Sequence, residues 1–192
     1  MEDILTAARQ NTQEAFHLVD QLELLDVWKK RGARANLVGS LANGLYMNSR
    51  DIDLHVYTDP FSLKTSFDAM ADIASRPGVQ GLTYTNLLDT DEACLEWHAK
   101  YKDEKDRLWQ FDIIHIVPGS KYDGYFEEQA RRVQSAVTGE TRRAVLEIKQ
   151  SFGDIHIGGV WVYQAVFKEG IRTPDDFHAW YAKQDPTRIL EW

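Results

Sequence analysis

The sequence has a single cysteine, and this scarcity excludes whole classes of protein. Cys94 stands alone among 192 residues, so an intrachain disulfide, a zinc ribbon and a Cys-x-x-Cys redox pair are all excluded. No apolar run approaches the length of a bilayer-spanning helix. The first residues, Met1-Glu2-Asp3, carry acid where a secretion signal needs a basic flank. These absences predict a cytoplasmic protein without a membrane partner.

Positive charge is also in deficit. Lys and Arg total 22 and Asp and Glu total 30, which gives a net charge of −8 and a pI near 5.2. Long-range attraction to phosphate groups needs a positive surface, so we expect nucleic acid to be a disfavoured partner. The apolar fraction of 43% is that of an ordinary globular chain of one or two domains.

The periodicity of the apolar residues predicts an α+β fold with a mixed sheet of about five strands flanked by helices. One long helix or two cover residues 3–31, and Asp59-Pro60 is expected to cap a helix over 61–75. The predicted strands are 35–38, 51–57, 79–86, 94–101 and 108–117, with a solvated hairpin tip at 102–107. Further helices are predicted over 122–137, 140–152, 159–169 and 174–181. We expect residues 1–120 to form one domain and residues 121–192 a helical part packed on it.

Two carboxylates share one face of the strand predicted over 51–57. Ile52, Leu54 and Val56 alternate along the strand, so Asp51 and Asp53 project together from the opposite face. Their repulsion is costly unless a cation binds there, and hard ions such as Mg²⁺ take oxygen ligands. Acidic pairs at strand ends are also found merely hydrated, so the pair alone leaves both interpretations open.

A third carboxylate lies on the strand predicted over 108–117. Asp112 stands between Phe111 and Ile113, and a carboxylate among such neighbours needs a partner or a metal ion. One interpretation is a buried ion pair with an arginine. The other applies if this strand pairs beside 51–57, because three aspartates on adjacent strands can hold two metal ions across an in-line phosphoryl displacement.

A glycine-serine pair precedes the aspartates. Gly39-Ser40 ends the first predicted strand, where backbone amides and the serine hydroxyl can face a polyphosphate. The spacing from Gly39 to Gly44 half-matches a Walker P-loop, but Leu45 and Tyr46 stand where Lys and Ser or Thr are required. The P-loop is therefore excluded, and the absence of Gly-x-Gly-x-x-Gly leaves a Rossmann site unsupported.

In this order, Gly39-Ser40, the run Ser49-Arg50-Asp51-Ile52-Asp53-Leu54 and the later Asp112 resemble the signature of the DNA polymerase β-like nucleotidyltransferase superfamily. That signature is Gly-Ser, a short intervening segment, Asp-hydrophobic-Asp and then a third acidic residue. The resemblance covers roughly residues 35–117, and the C-terminal helices resemble the helical half of small antibiotic-type members only loosely. It implies a nucleotidyltransferase fold, with the catalytic domain in residues 1–120.

The resemblance also implies roles for the three aspartates. Asp51, Asp53 and Asp112 would be the catalytic residues and would bind two Mg²⁺ ions, for which Mn²⁺ can substitute. Asp112 would in addition help to activate the acceptor hydroxyl. The implied reaction moves a nucleoside monophosphate from an NTP to a hydroxyl of a small molecule, or of a protein, and releases pyrophosphate.

Nucleotide binding would fall to three other residues. Gly39 and Ser40 would hold the β- and γ-phosphates of an NTP such as ATP. Arg50 stands where many members have a small Ser or Thr, and it would either contact phosphate or lie exposed. The sequence allows a homodimer and does not identify the acceptor. Two alternatives remain open, a non-catalytic nucleotide-binding or toxin-antitoxin-type partner and an enzyme that acts on RNA ends.

Other polar and aromatic residues receive simpler interpretations. His55 shares the acidic strand face and is expected to be a hydrogen-bonded neighbour, whereas His115 should face away from Asp112 and be structural. Lys149 lies on a predicted helix that would suit a triphosphate if it faced the cleft, although helix charges more often face solvent. Tyr163 is expected to belong to the helical core rather than to a base-stacking surface.

Overall fold

The computed structural model describes residues 3–153 and 157–185. The helices are α1 (Ile4–Gln21), α2 (Asp26–Lys29), α3 (Gly39–Ala42), α4 (Leu63–Ala74), α5 (Tyr125–Ala136), α6 (Gly139–Ser151), α7 (Gly159–Tyr163) and α8 (Pro174–Tyr181). The strands are β1 (Arg34–Leu37), β2 (Asp51–Tyr57), β3 (Val79–Asn86), β4 (Cys94–Lys102) and β5 (Leu108–Ile116). Within these described residues, no helix combines the length and the apolar character needed to cross a membrane.

The strands form one mixed sheet of five strands in the order β1-β2-β5-β4-β3. β2 and β5 run parallel, and the other neighbouring pairs are antiparallel. Parallel neighbours need a crossover of the chain, and here α4 and the β3–β4 hairpin lie between them in sequence. The prediction of a mixed sheet of about five strands flanked by helices is confirmed.

One face of the sheet is apolar and is covered by α1, α2 and α4. Ile52, Leu54 and Val56 of β2 are each 0% exposed on this face and pack in one core with side chains of those helices. Full burial of one such side chain contributes about 1.5–3 kcal/mol. Because side chains alternate along a strand, the residues between them face the C-terminal helices. Tyr57, for example, donates a hydrogen bond to Glu127 of α5 at 2.8 Å.

The C-terminal helices form a second apolar core. Leu45, which follows α3, is fully buried in this core with Val145 and Ile148 of α6. At the other end of the chain, Ile4 of α1 packs in one cluster with Leu146 of α6. The segment after α3 and the helix α1 thus both pack against α6. The division into residues 1–120 and 121–192 stays a prediction.

The start of α4 differs from the prediction. The helix begins at Leu63 and its N-cap is Ser62, whose Oγ accepts a hydrogen bond from the amide of Thr65 at 3.1 Å. Asp59-Pro60 precedes this cap and does not form it. The prediction was wrong because Asp and Pro favour turns as well as helix starts, and a serine three residues before Thr65 fulfils the capping geometry instead.

The charged turn between β4 and β5 is less solvated than predicted. Arg107 forms ion pairs with Glu14 of α1 at 2.5 Å and with Asp103 of its own turn at 2.7 Å. Asp103 also accepts a hydrogen bond from Nε1 of Trp109 at 2.9 Å. The turn therefore ties the β4–β5 hairpin to α1.

Residues 159–169 contain two kinds of helix where one was predicted. α7 ends at Tyr163 and continues as a π-helical turn over Gln164–Lys168. The wider turn is closed by the amide of Glu169, which donates to the carbonyl of Gln164 at 3.2 Å. Such turns are frequent at functional sites.

The capping of α4 gives a stability test. We expect Ser62→Ala to lower the free energy of unfolding by about 1 kcal/mol, because the amide of Thr65 loses its partner. Asp59→Ala, at the exposed position first predicted as the cap, should change stability by less than about 0.5 kcal/mol. Urea unfolding followed by circular dichroism measures both values. Equal losses in the two variants would contradict the assignment of the cap.

Candidate active site

The pairing of β2 with β5 brings the three predicted aspartates to one place. Asp53 and Asp112 are register partners across the two strands, and Asp51 lies two residues earlier on the same face of β2. All three line a cleft of about 480 Å³ between the polar face of the sheet and the C-terminal helices. The condition for a three-aspartate site, that the two strands are neighbours, is therefore met.

Gly39 and Ser40 form the next part of the cleft wall. They begin α3 directly after β1, and both line the cleft. Gly39 has a φ of +65°, and a Cβ at this position would overlap with Oδ2 of Asp53. Only glycine combines this backbone conformation with such a close approach. The glycine of the Gly-Ser pair is thus required by the position of an aspartate as well as by its own turn.

Lys149 of α6 lines the cleft on the side of the C-terminal helices. Its Nζ donates hydrogen bonds to the carbonyl of Leu45 at 2.9 Å and to the hydroxyl of Tyr163 at 3.2 Å. The same hydroxyl accepts a hydrogen bond from Asn43 at 3.1 Å. Among the described residues that line the cleft, Lys149 is the only lysine or arginine. The helix charge that sequence reasoning left undecided therefore faces the site.

Burial and neighbouring carboxylates set the electrostatics of the site. Burial, together with the charges of Asp112 and Asp51, raises the pKa of Asp53 to about 7. The charge of Lys149 lowers the pKa of Asp53, but this effect is smaller than the combined effect of burial and the two carboxylates. A divalent cation would reverse this balance, because an opposite charge nearby favours the ionised carboxylate.

Asp112 has two partners that sequence reasoning missed. Nδ1 of His98 lies 2.5 Å from Oδ1 of Asp112, and Nε2 of Gln110 donates to the same oxygen at 2.9 Å. The other ring nitrogen of His98 lies 3.2 Å from Glu96. Burial lowers the pKa of His98, but the hydrogen bonds and charges of Asp112 and Glu96 outweigh it, so the net shift is upward. The partner of Asp112 is therefore a histidine and an amide rather than the arginine considered from the sequence.

A signal for His98 was present in the sequence but incomplete. The predicted hairpin pairs β4 with β5 around its tip at 102–107, and the observed register places His98 opposite Asp112. Hairpin register depends on the turn that closes it. Here the amide of Asp103 donates a hydrogen bond to the carbonyl of Arg107, and the two side chains form an ion pair. No simple turn motif in the sequence indicates this arrangement.

The donor set is suited to magnesium, although its side chains do not form a closed centre as they stand. Three carboxylates facing one cleft supply the hard oxygen ligands that Mg²⁺ takes in proteins. Across residues 3–153 and 157–185, no group of three or more His, Cys, Asp or Glu side chains is arranged so that it could hold a metal ion. Oδ1 of Asp112 is engaged by His98 and Gln110, so this carboxylate would reach a metal ion only through its second oxygen or after a rotation.

Three further residues singled out in the sequence are Arg50, His115 and Tyr163. Arg50 is exposed and is not among the cleft-lining residues described, and its role in nucleotide binding stays a prediction. His115 lies on the apolar face, where Nε2 is 3.0 Å from the hydroxyl of Thr58, in agreement with a structural role. Tyr163 belongs to the helical core, as predicted, and lines the cleft as well.

His55 differs from its expected role as a hydrogen-bonded neighbour. It is 6% exposed, and burial lowers its pKa to about 4, so the imidazole is neutral at physiological pH. Nδ1 is buried and has no hydrogen-bond partner within the part of the chain that the structure describes. The ring packs edge-on against Phe126 of α5, with a centroid separation of 4.9 Å.

Comparison with solved structures finds chains of the same fold. A chain of the poly(A) polymerase complex GLD-2–GLD-3 superposes with a TM-score of 0.60 at 13% identity, covering 100% of this chain and 70% of that one. The Cid1 poly(U) polymerase with MgGTP bound gives 0.55 at 17% identity, over 75% of this chain and 43% of that one. A cytoplasmic RNA terminal U-transferase gives 0.50 at 18% identity, over 75% and 40%. No protein-family model and no curated protein matches the sequence.

These structures overturn one expectation drawn from charge. Proteins with this fold include poly(A) and poly(U) polymerases and an RNA terminal U-transferase, so the inference that nucleic acid is a disfavoured partner is wrong. A net charge of −8 is the sum over the whole molecule, whereas a bound nucleic-acid strand responds to the charges within about 10 Å of it. At 13–18% identity the likeness shows the fold alone. That fold is the one the sequence resemblance predicts, and the chain has the nucleotidyltransferase fold.

Proposed function

We propose that this protein is a Mg²⁺-dependent nucleotidyltransferase that adds nucleoside monophosphates from an NTP to the 3′ end of RNA and releases pyrophosphate. One observation carries the proposal. Asp53 and Asp112 are register partners on parallel strands, Asp51 shares their face, and all three line one cleft. This is a geometry in which carboxylates on two strands meet around the reacting phosphate.

The chain's own residues then have distinct tasks. Asp51 and Asp53 would hold the metal ions that bind the nucleotide phosphates, and Asp112 would help to activate the acceptor hydroxyl for attack on the α-phosphate. When bound, Mg²⁺ neutralises charge that develops on the transferring phosphoryl group. Gly39, Ser40 and Lys149 line the same cleft, where they would contact the outer phosphates of the NTP.

The proposal that the acceptor is an RNA end is supported by the solved structures with the same fold, and not by the residues of the cleft alone. The similar structures are of poly(A) and poly(U) polymerases and of an RNA terminal U-transferase. They support the RNA-end alternative over the small-molecule acceptor first expected from the sequence. The MgGTP of one of them supports the choice of metal and of a triphosphate donor.

The aspartate pair gives the first test. Asp53→Asn should lower the rate of transfer about a thousandfold or more, because several kcal/mol of charge stabilisation in the transition state is lost. The fold should persist, since asparagine is nearly the same size and removes a repelled charge. Incorporation of α-labelled NTP into an oligoribonucleotide measures transfer, and thermal unfolding measures the fold.

The matched control is Asp20→Asn, which changes an exposed aspartate of α1 and should leave transfer unaltered. Full transfer by Asp53→Asn would refute the mechanism. A wild-type protein that is stabilised by Mg²⁺ and NTP, yet labels no RNA, would favour the non-catalytic nucleotide-binding alternative.

Lys149 gives a second test. Lys149→Met keeps the aliphatic stem but removes the charge, so the KM for the NTP should rise about tenfold to a hundredfold, the range for a lost charged hydrogen bond. Arg143→Met is the control on the same helix, because Arg143 pairs with Asp3 at 3.0 Å, outside the cleft-lining set. Steady-state kinetics with varied NTP distinguish the two, and equal KM values would contradict a phosphate contact by Lys149.

A further inference from the structure

A second cavity, of about 250 Å³, adjoins the cleft on the same face of the sheet. Its residues lie on β4 and β5, in the helix α5, and in the segments that precede β4 and α5, and they are Glu92, Cys94, Glu96, Ile114, Ile116, Tyr122 and Phe126 together with His55 of β2. His55 and Phe126 line both the cavity and the cleft. The two spaces are therefore neighbours with a shared wall.

The position of the cavity relative to Asp112 is set by the strands. Ile114 is two residues beyond Asp112 on β5, and Glu96 is the register partner of Ile114 on β4. At about 3.3 Å per residue, the cavity begins roughly 7 Å along the sheet from Asp112. Gly39 and Ser40 follow β1, which lies on the opposite side of β2. The cavity is thus on the acceptor side of the site and away from the residues assigned to the outer phosphates.

The walls of the cavity are suited to a flat ring. The floor is formed by apolar side chains of β4 and β5, including Ile114 and Ile116. Tyr122 and Phe126 provide aromatic surface, with ring centroids 5.8 Å apart and planes inclined by 33°. Drug-sized molecules occupy cavities of about 300–1,000 Å³, so this smaller space holds one ring system rather than a length of strand.

The polar groups of the cavity accept hydrogen bonds and repel phosphate. Glu92 lies at the exposed rim and Glu96 is partly buried. Two carboxylates in such a space disfavour a phosphodiester by direct charge repulsion, whereas a carboxylate accepts a hydrogen bond from the exocyclic amino group of a base. Glu96 also approaches His98 through Oε1, which leaves its second oxygen for another donor.

His55 adds a buried polar side chain to the wall that the cavity shares with the cleft. It is 94% buried, lines the cavity, and its Nδ1 has no hydrogen-bond partner among the residues described. A buried polar atom without a partner costs about 1–3 kcal/mol, and native proteins rarely leave one unpaired without a reason.

We propose that this cavity binds the 3′-terminal nucleobase of the RNA acceptor and selects bases with an amino group at C6 of a purine or C4 of a pyrimidine, namely adenine and cytosine, over guanine and uracil. The inference rests on the proposed RNA-end activity. A base in the cavity places its ribose toward Asp112, because the base and the 3′ hydroxyl lie at opposite ends of a nucleoside. Guanine and uracil present a carbonyl oxygen at the position where adenine and cytosine present the amino group, and a carbonyl oxygen cannot donate a hydrogen bond to a carboxylate.

The experiment measures kcat/KM for extension of oligoribonucleotides that differ only in the 3′-terminal nucleoside, with NTP saturating. Ends carrying adenosine or cytidine, the amino-bearing ends, should be extended about tenfold faster than ends carrying guanosine or uridine, the lower range for a hydrogen bond to a charged group. A chemical control replaces terminal adenosine with purine riboside, which lacks only the amino group and should behave like uridine.

Glu92→Gln and Glu96→Gln test the source of the preference, and Glu104→Gln in the β4–β5 turn is the matched control. The first two should reduce the preference for amino-bearing ends while leaving the KM for the NTP unchanged. Glu92→Gln is informative even if Glu96→Gln disturbs His98, because Glu92 is not a partner of that histidine among its recorded contacts.

The outcomes separate the two proposals. Extension of all ends with equal kcat/KM, or a preference that survives both glutamate substitutions, would overturn the acceptor pocket and leave the RNA-end activity standing. Absence of labelled product from every end, in a folded wild-type protein, would overturn the RNA-end activity and the pocket together. A preference that is lost in Glu92→Gln or Glu96→Gln and kept in Glu104→Gln supports the pocket.

Discussion

The parallel pairing of β2 with β5 is the constraint on which the rest of the structure depends. Its register places Asp53 beside Asp112, and the alternation of each strand sends the apolar residues to one side and the carboxylates to the other. A slip of one residue would exchange the two faces. Burial of Ile52 and Leu54 against the helices beneath is therefore the force that holds the aspartates at the cleft, although neither side chain touches it.

Sequence reasoning reached the features that arise from local patterns. The bounds of β2 and the shared face of Asp51 and Asp53 follow from strict alternation, and the fold class follows from the order of elements. It did not reach His98 or the orientation of Lys149, because both depend on how separate segments approach in space. The predicted cap of α4 was wrong because two nearby positions, Asp59 and Ser62, carry residues that can cap a helix. The side chain of Ser62 is the one that forms the capping hydrogen bond.

Composition was the least reliable guide to function. The excess of acid is real, but part of it lies in carboxylates gathered around one cleft and the adjoining cavity. Carboxylates in these positions attract cations and hydrogen-bond donors. They say little about whether the protein can bind an RNA strand elsewhere on its surface. Local arrangement, rather than net charge, decides which part of a polyanionic substrate is tolerated at each point of the surface.

The first helix has a consequence for movement. α1 contacts α6 through Ile4 and Leu146, while Glu14 on the same helix pairs with Arg107 of the β4–β5 turn. One rigid rod thus touches both sides of the cleft. Opening by a simple hinge would require α1 to leave one of them, whereas a small sliding of α1 over α6 would preserve most of the apolar contact. The architecture therefore favours shear over hinge motion in admitting and releasing substrates.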